Sequence, residues 1–246
     1  MKRLLPFLLM FVAQWSLLTG QYSKAFAQVG SPRTDLAIGG GGGFVMNRMQ
    51  FSPSVFRQSF KNGMTMGFTA RYTCEKYFKM LCAFQVEINY SQAGWKEKFD
   101  EGSTLSYQRT IHYIQIPLLA NLGFGRERGG VKGFLVAGPQ LGFCVGESES
   151  KGGDWSNYVP SRQLVGGLTQ YDLEVQKKFE YGIAGGLGMD VSTRKGHHFL
   201  LEGRYFFGLS DIFSNTKKDP FGRSANGTIY IKASYLFDIV KTKIGQ

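Results

Sequence analysis

The chain has 246 residues and carries 29 basic against 18 acidic side chains, which gives a formal net charge of +11. Its mean hydropathy of −0.17 excludes a protein built from membrane-spanning helices. It does not exclude a β-barrel, because the inward-facing half of each barrel strand is polar. The 33 glycines and 21 phenylalanines indicate many closely packed strands.

The N-terminus has the features of a secretory signal peptide. Two basic residues precede a largely apolar run, Leu4–Leu18, and a small-residue site, Ala25–Ala27, follows it. The run is shorter than the stretch of about 20 apolar residues that a transmembrane helix needs. We therefore predict an exported protein with a signal peptide over residues 1–27, cleaved near Ala27, and one β-barrel domain over residues 28–246. An uncleaved membrane anchor is the alternative.

Alternation of apolar and polar residues with a period of two predicts eight β-strands. The third is the clearest, because Phe84, Val86 and Ile88 alternate with Gln85 and Glu87. The predicted strands cover residues 35–46, 63–74, 81–92, 108–122, 131–145, 178–191, 198–209 and 226–238.

The links between the predicted strands alternate between long and short. Outer-membrane barrels have tight periplasmic turns and external loops that are free to grow, whereas a soluble sandwich or lipocalin-like barrel has no reason to keep this asymmetry. We therefore predict an all-β fold, an eight-stranded antiparallel transmembrane β-barrel in the outer membrane, with the N-terminus in the periplasm. The long links, which we expect outside the cell, are 47–62, 93–107, 146–177 and 210–225.

Charged residues within the strands fall on the face opposite the aromatic residues. A charge on the lipid face costs about 2–4 kcal/mol at the bilayer midplane, so we expect these groups to pair inside the barrel. An eight-stranded barrel is just wide enough to be filled by side chains, which argues against an open solute channel. The predicted lumen charge network consists of Arg71, Glu87, Glu180, Asp190, Glu202, Arg204 and Lys232. An ordinary aromatic-rich core is the alternative.

The cysteines are too few for a disulfide framework and are not spaced like a zinc site. Cys74 and Cys82 flank a short turn and fall on the same face by parity. A disulfide between them is compatible with the oxidising periplasm, but two unpaired cysteines are the favoured interpretation.

The remaining motifs do not indicate catalysis. The run Gly39–Gly43 lacks the Lys-Ser/Thr that follows in a phosphate-binding loop. His112 falls on the apolar face, as in barrel deacylases, but such an enzyme needs a serine two residues on, where Ile114 stands. We therefore predict no catalytic residue, no cofactor and no metal site.

Basic residues are scattered over loops and turns, and export argues against a nucleic-acid partner. This distribution suits lipid phosphates or an acidic protein, so we expect contacts with outer-membrane lipid and lipopolysaccharide and no small-molecule substrate. Long links without secondary structure of their own are usually either functional or disordered. The candidate external contact loop is the longest link, with Trp155, Tyr158, Arg162 and Tyr171 as its contact residues.

Five segments, in order along the chain, resemble the PorT-like outer-membrane β-barrel family of Bacteroidetes. The chain departs from the family pattern at Gln115, where the family has Glu, and in a longer third external loop. The matching segments are Leu81–Gly94, Tyr113–Leu118, Val136–Pro139, Tyr181–Gly188, and Leu201–Tyr205 followed by Gly208–Ile212.

The resemblance implies an eight-stranded barrel. Many members of the family have no established role, and the namesake acts in type IX secretion, which carries proteins with a C-terminal signal across the outer membrane. A fold alone does not fix a function. Our leading hypothesis is a non-catalytic component or assembly factor of that apparatus, which would contact other secretion-system proteins. The alternatives are an outer-membrane enzyme that modifies lipid or lipopolysaccharide, and a plain structural or adhesive barrel.

Overall fold

A computed structural model describes residues 30–54, 56–99, 103–156, 171, 173–214 and 221–242. The predicted signal peptide, residues 1–27, lies outside the described residues and stays a prediction. Over the described part of the chain, no α-helix could serve as a membrane span.

Eight long strands form the wall of a barrel, and each is antiparallel to its neighbours. A further two-residue strand, Gln58–Ser59, pairs with Lys96 and Glu97 near one rim. The eight strands are β1 (Ser31–Ser52), β2 (Lys61–Tyr77), β3 (Met80–Glu97), β4 (Ser106–Gly125), β5 (Gly130–Gly152), β6 (Phe179–Ser192), β7 (His197–Gly208) and β8 (Arg223–Val240).

The first and last strands pair with each other, which closes the ring. Their ladder runs from Leu36 opposite Val240 to Ser52 opposite Arg223. Closure leaves no unpaired edge, which a sheet in a bilayer requires. The eight-stranded antiparallel β-barrel predicted from the sequence is therefore confirmed.

Links at one end of the barrel are long, over residues 53–60, 98–105, 153–178 and 209–222. At the opposite end they are short, over residues 78–79, 126–129 and 193–196. We call these the loop end and the turn end. The length alternation follows the prediction.

Three predicted strands ended too early at the loop end. β1 continues to Ser52 rather than residue 46, β3 to Glu97 rather than residue 92, and β5 to Gly152 rather than residue 145. In β5 the alternation fades beyond residue 145, because residues 147–151 are polar on both faces. The ladder nevertheless continues as far as Ser106 opposite Gly152, since backbone pairing does not need a hydrophobic pattern.

The wall is apolar outside and charged inside, the reverse of a soluble protein. Phe68, Phe44 and Leu187 are 76%, 70% and 65% exposed on the outer surface, whereas Glu87 and Lys232 are each 2% exposed. This is the arrangement that a lipid environment requires.

Candidate functional site

Glu87 is the centre of the lumen charge network. Its Oε2 atom lies 2.9 Å from Nη2 of Arg204 and 2.9 Å from Nζ of Lys232. Nε of Arg204 in turn lies 2.9 Å from Oε1 of Glu202. All four side chains are buried. Two cations thus balance two anions, which removes the large cost of an unpaired buried charge.

Amide side chains complete the shell around this carboxylate. Gln85 and Asn89 each donate a hydrogen bond to Glu87 over 2.7 Å. Asn121 on β4 donates a hydrogen bond to Oε1, the side-chain amide oxygen, of Gln85 over 2.9 Å. We predicted the inward orientation of Gln85, but not this network of amides.

A second cluster fills the turn end of the lumen around Asp190. Its carboxylate lies 2.9 Å from Arg71, 3.1 Å from Lys132 and 3.1 Å from His198. His198 also contacts Asp238 over 3.0 Å. From the sequence, we interpret His198 as part of a solvated basic turn beside Arg194 and Lys195. This interpretation is wrong, because His198 is the second residue of β7 and its buried side chain points inward.

Glu180 differs from the other six residues of the predicted network. It is buried, and within the described residues no basic side chain pairs with it. The amide of Asn226 donates a hydrogen bond to it instead. We expected every charged lumen residue to pair with an opposite charge. This was wrong for Glu180, because the side chain from β8 that contacts it inside the lumen is the amide of Asn226.

Above the charges, the loop end is filled by a cluster that we call the aromatic plug: Phe51, Trp95, Tyr107, Phe213 and Phe221. All five side chains are buried. Ring centroids of Phe51 lie 4.8 Å from Phe221 and 5.3 Å from Trp95, and Trp95 lies 6.3 Å from Phe213. The sequence analysis missed this plug. The one available signal was Trp95, which continues the inward parity of Glu87 along β3.

The candidate external contact loop lies against this plug. Tyr171 packs on Tyr107 with centroids 4.7 Å apart, and Trp155 packs on Tyr171 at 5.2 Å. Both loop side chains are half-buried, so they are part of the interior packing rather than freely displayed. Tyr158 and Arg162 lie outside the described residues.

Arg109 ties the outer part of β5 to the loop that follows it. Its guanidinium lies 3.1 Å from Glu147 and 2.9 Å from Glu149, and it donates a hydrogen bond to the carbonyl oxygen of Leu173. These contacts hold the loop down onto the plug.

Cys74 and Cys82 are free thiols, so the disulfide that the sequence allowed is not formed. The ladder shifts between Thr73 and Glu75, so Cys74 is the extra residue of a β-bulge and Cys82 pairs with Glu75. The bulge aims the Cys74 thiol at the carbonyl oxygen of Cys82, 3.4 Å away.

The described interior holds a polar pocket of about 370 Å³ at the loop end, between Arg109, Glu147 and Leu173, but very little open space at the turn end. The polar cavity at the turn end, between Arg71 and His198, has a volume of about 20 Å³. That is room for about one water molecule. In the described part of the chain, no group of three or more His, Cys, Asp or Glu side chains is placed to hold a metal ion. The charge clusters and the aromatic plug fill the lumen at their own levels.

The model of the outer membrane protein β-barrel domain family matches residues 26–214. The chain belongs to this family. Outer-membrane barrels place their long loops outside the cell and their short turns in the periplasm. For this barrel, an outer-membrane location therefore makes the loop end extracellular and the turn end periplasmic.

The chain is similar to several solved outer-membrane proteins at low sequence identity and with TM-scores below 0.5. OprG from Pseudomonas aeruginosa is 13% identical with a TM-score of 0.43, over 85% of this chain and 98% of that one. Ail, the attachment invasion locus protein of Yersinia pestis, is 13% identical with a TM-score of 0.34, over 84% and 99%. The outer membrane enzyme PagL is 14% identical with a TM-score of 0.39, over 82% and 98%. No curated protein sequence matches the chain.

Proposed function

We propose that this barrel is a non-catalytic component or assembly factor of a type IX-like protein secretion apparatus. The observation that carries the proposal is the filled lumen. Salt bridges and the aromatic plug occupy successive levels of the interior, and together they obstruct the lumen in the part of the chain that the structure describes. A role in secretion would therefore be exerted through the surfaces at its two ends.

The resemblance to the PorT-like family supports this role, since matching segments occur along most of the barrel. Such a role requires export, and hence cleavage of the signal peptide near Ala27. Edman sequencing of the protein isolated from outer membranes would give Gln28 as the first residue.

The turn end offers a surface for a protein partner. Its turns expose four basic side chains, and a basic patch attracts an acidic partner by complementary charge. These side chains are Lys79, Arg126, Arg194 and Lys195.

Gene deletion with complementation tests the proposal. Loss of secreted, surface-attached cargo on deletion is the expected result, and affinity purification from outer membranes should recover translocon components. A complementing variant with Arg194→Glu and Lys195→Glu should lose partner recovery, whereas Lys151→Glu at the loop end should keep it. Normal secretion in the deletion strain would contradict the proposal.

One observation favours an enzyme that acts on lipid or lipopolysaccharide as the second candidate. On the outward face, Nδ1 of His112 lies 2.5 Å from the hydroxyl of Tyr90, near the outer border of the apolar belt. Altered lipid A with normal secretion, reproduced by His112→Ala, would support this enzyme. If neither secretion nor lipid A changes, the structural or adhesive barrel gains support.

A further inference from the structure

A pocket of about 210 Å³ opens on the outward face of the wall near the loop end. Gly227 on β8 forms its floor, with Arg48 on β1 and Phe207 on β7 as the facing residues in the two ladders. A Cβ atom at position 227 would lie 3.1 Å from the hydroxyl of Tyr205 and 3.7 Å from the amide nitrogen of Gln50. The pocket therefore exists because this position is glycine.

The two sides of the pocket differ in chemistry. Towards the middle of the bilayer it is lined by Met46 and Ile229, which continue the apolar belt. Towards the loop end it is lined by Arg48 and Gln50, with Met49 and Phe60 beside them. A ligand that fits both sides has an apolar part towards the middle of the bilayer and an anionic part towards the loop end.

A second arginine lies beside the pocket. Arg223 faces Ser52 in the same ladder, beyond Gly227 towards the loop end. Its guanidinium lies 5.3 Å from the ring centroid of Phe207, and its Nε is buried without a hydrogen-bond partner among the described residues. Within that part of the chain, neither Arg48 nor Arg223 pairs with a carboxylate.

We infer that this pocket binds the phosphate of a phosphorylated glycolipid of the outer leaflet, the lipid A part of lipopolysaccharide. The guanidinium fork matches phosphate oxygens in a bidentate manner, and two unneutralised arginines on the lipid side attract an anion. The acyl chains of the same molecule would lie along Met46 and Ile229. The inference depends on the outer-membrane location and is independent of the proposed role in secretion.

Binding of three probes to the purified full-length barrel in detergent micelles tests the inference. The probes are diphosphorylated lipid A, lipid A without phosphates, and inorganic phosphate. Diphosphorylated lipid A should bind most tightly, and the dephosphorylated form should bind about tenfold more weakly or worse. Inorganic phosphate at millimolar concentration should not displace the lipid, because it lacks the acyl chains.

Variants locate the site. Arg48→Gln combined with Arg223→Gln should weaken binding of diphosphorylated lipid A at least about tenfold, and Arg48→Lys should weaken it less. The matched control is Arg126→Gln combined with Arg194→Gln, which removes two positive charges at the turn end and should leave the affinity unchanged. Gly227→Ala should weaken binding by filling the floor, and Gly203→Ala on the outward face is its control.

Three results would overturn the inference. They are equal affinity in the double variant and the wild type, equal binding of lipid A with and without phosphates, and full displacement by inorganic phosphate, which would make the pocket a simple anion site. Heat-modifiable migration on gels confirms that each variant is folded. A normal secretion phenotype in the double variant would leave this lipid site standing, so the two proposals fail separately.

Discussion

Nη2 of Arg204 donates a hydrogen bond to Oε2 of Glu87 over 2.9 Å, across the full width of the barrel. The two residues lie on β7 and β3, which are four strands apart in either direction around the ring. Because both side chains are buried, this contact and the neighbouring Lys232 close the lumen and also hold opposite walls together.

Removing the central carboxylate should strongly destabilise the barrel. Glu87→Gln leaves Lys232 buried without its anion and leaves Arg204 with Glu202 alone. Breaking a buried pair in this way costs about 3–5 kcal/mol. Urea titration in lipid vesicles, followed by heat-modifiable migration on gels, measures the change. Glu174→Gln, an exposed change of the same kind, should stay within about 0.5 kcal/mol. A neutral effect of Glu87→Gln would mean that the network contributes no stability.

The aromatic plug should matter more to stability than the lipid-facing aromatics. Trp95→Ala removes a fully buried indole and leaves a cavity, which costs about 3–5 kcal/mol. Phe44→Ala on the outer surface should cost less, because lipid fills the space. The same urea titration compares the two. Similar losses would mean that the plug is loosely packed.

Wild-type barrels should not conduct small ions, and truncation of Trp95 in the plug should not open them. In Trp95→Ala the salt bridge between Glu87 and Arg204 still obstructs the lumen at a deeper level. Planar-bilayer recordings measure this directly. A steady conductance in the wild type would contradict the filled lumen.

Replacing Gly43 by any larger residue should destabilise the barrel. A Cβ atom there would lie 2.0 Å from the carbonyl oxygen of Ile231, so Gly43→Ala must push β1 away from β8 and displace Lys232, with a cost of about 1–3 kcal/mol. The control, Gly203→Ala, has no atom within 4 Å of the new methyl group and should stay within about 0.5 kcal/mol. Equal stability of the two variants would show that the strands adjust freely.

The periplasmic turn after β4 should loosen in acid. Burial opposes ionisation of Glu127, but hydrogen bonds from Arg33 and Lys76 outweigh it, and the pKa of Glu127 lies below its ordinary value of 4.5. A lowered pKa means that the contribution to stability is full above pH 4.5 and is lost as the pH falls through the folded-state pKa. Hydrogen exchange of residues 126–129, corrected for intrinsic rates, should show a step below pH 4.5 that Glu127→Gln lacks.

The sequence predicted the strands where the bilayer imposes a strict rule. Along Phe84–Ile88, lipid on one side and the lumen on the other force a period of two, so number, order and facing could be inferred. Beyond the bilayer this rule weakens. Trp95 and Tyr107 lie in predicted links, and no local pattern indicates that they meet inside the barrel.

The ion-pair partners of the lumen residues could not be predicted from the sequence either. Glu87 and Arg204 are 117 residues apart, and their contact depends on the register of every ladder between them. The inward direction of each side chain is a local property and was predictable. The choice of partner is a global one, which is why Glu180 was expected to have a cation and has Asn226 instead.

The aromatic plug has a consequence for biogenesis. Its rings come from both halves of the chain, from Phe51 to Phe221, and contacts between such distant segments form late in folding. The polar links must also traverse the bilayer before these rings can meet. We therefore expect the plug to close the lumen only after the barrel has inserted into the bilayer. Vesicles should then release trapped dye briefly during refolding and afterwards stop. A time course without leakage would mean that insertion and closing of the lumen happen together.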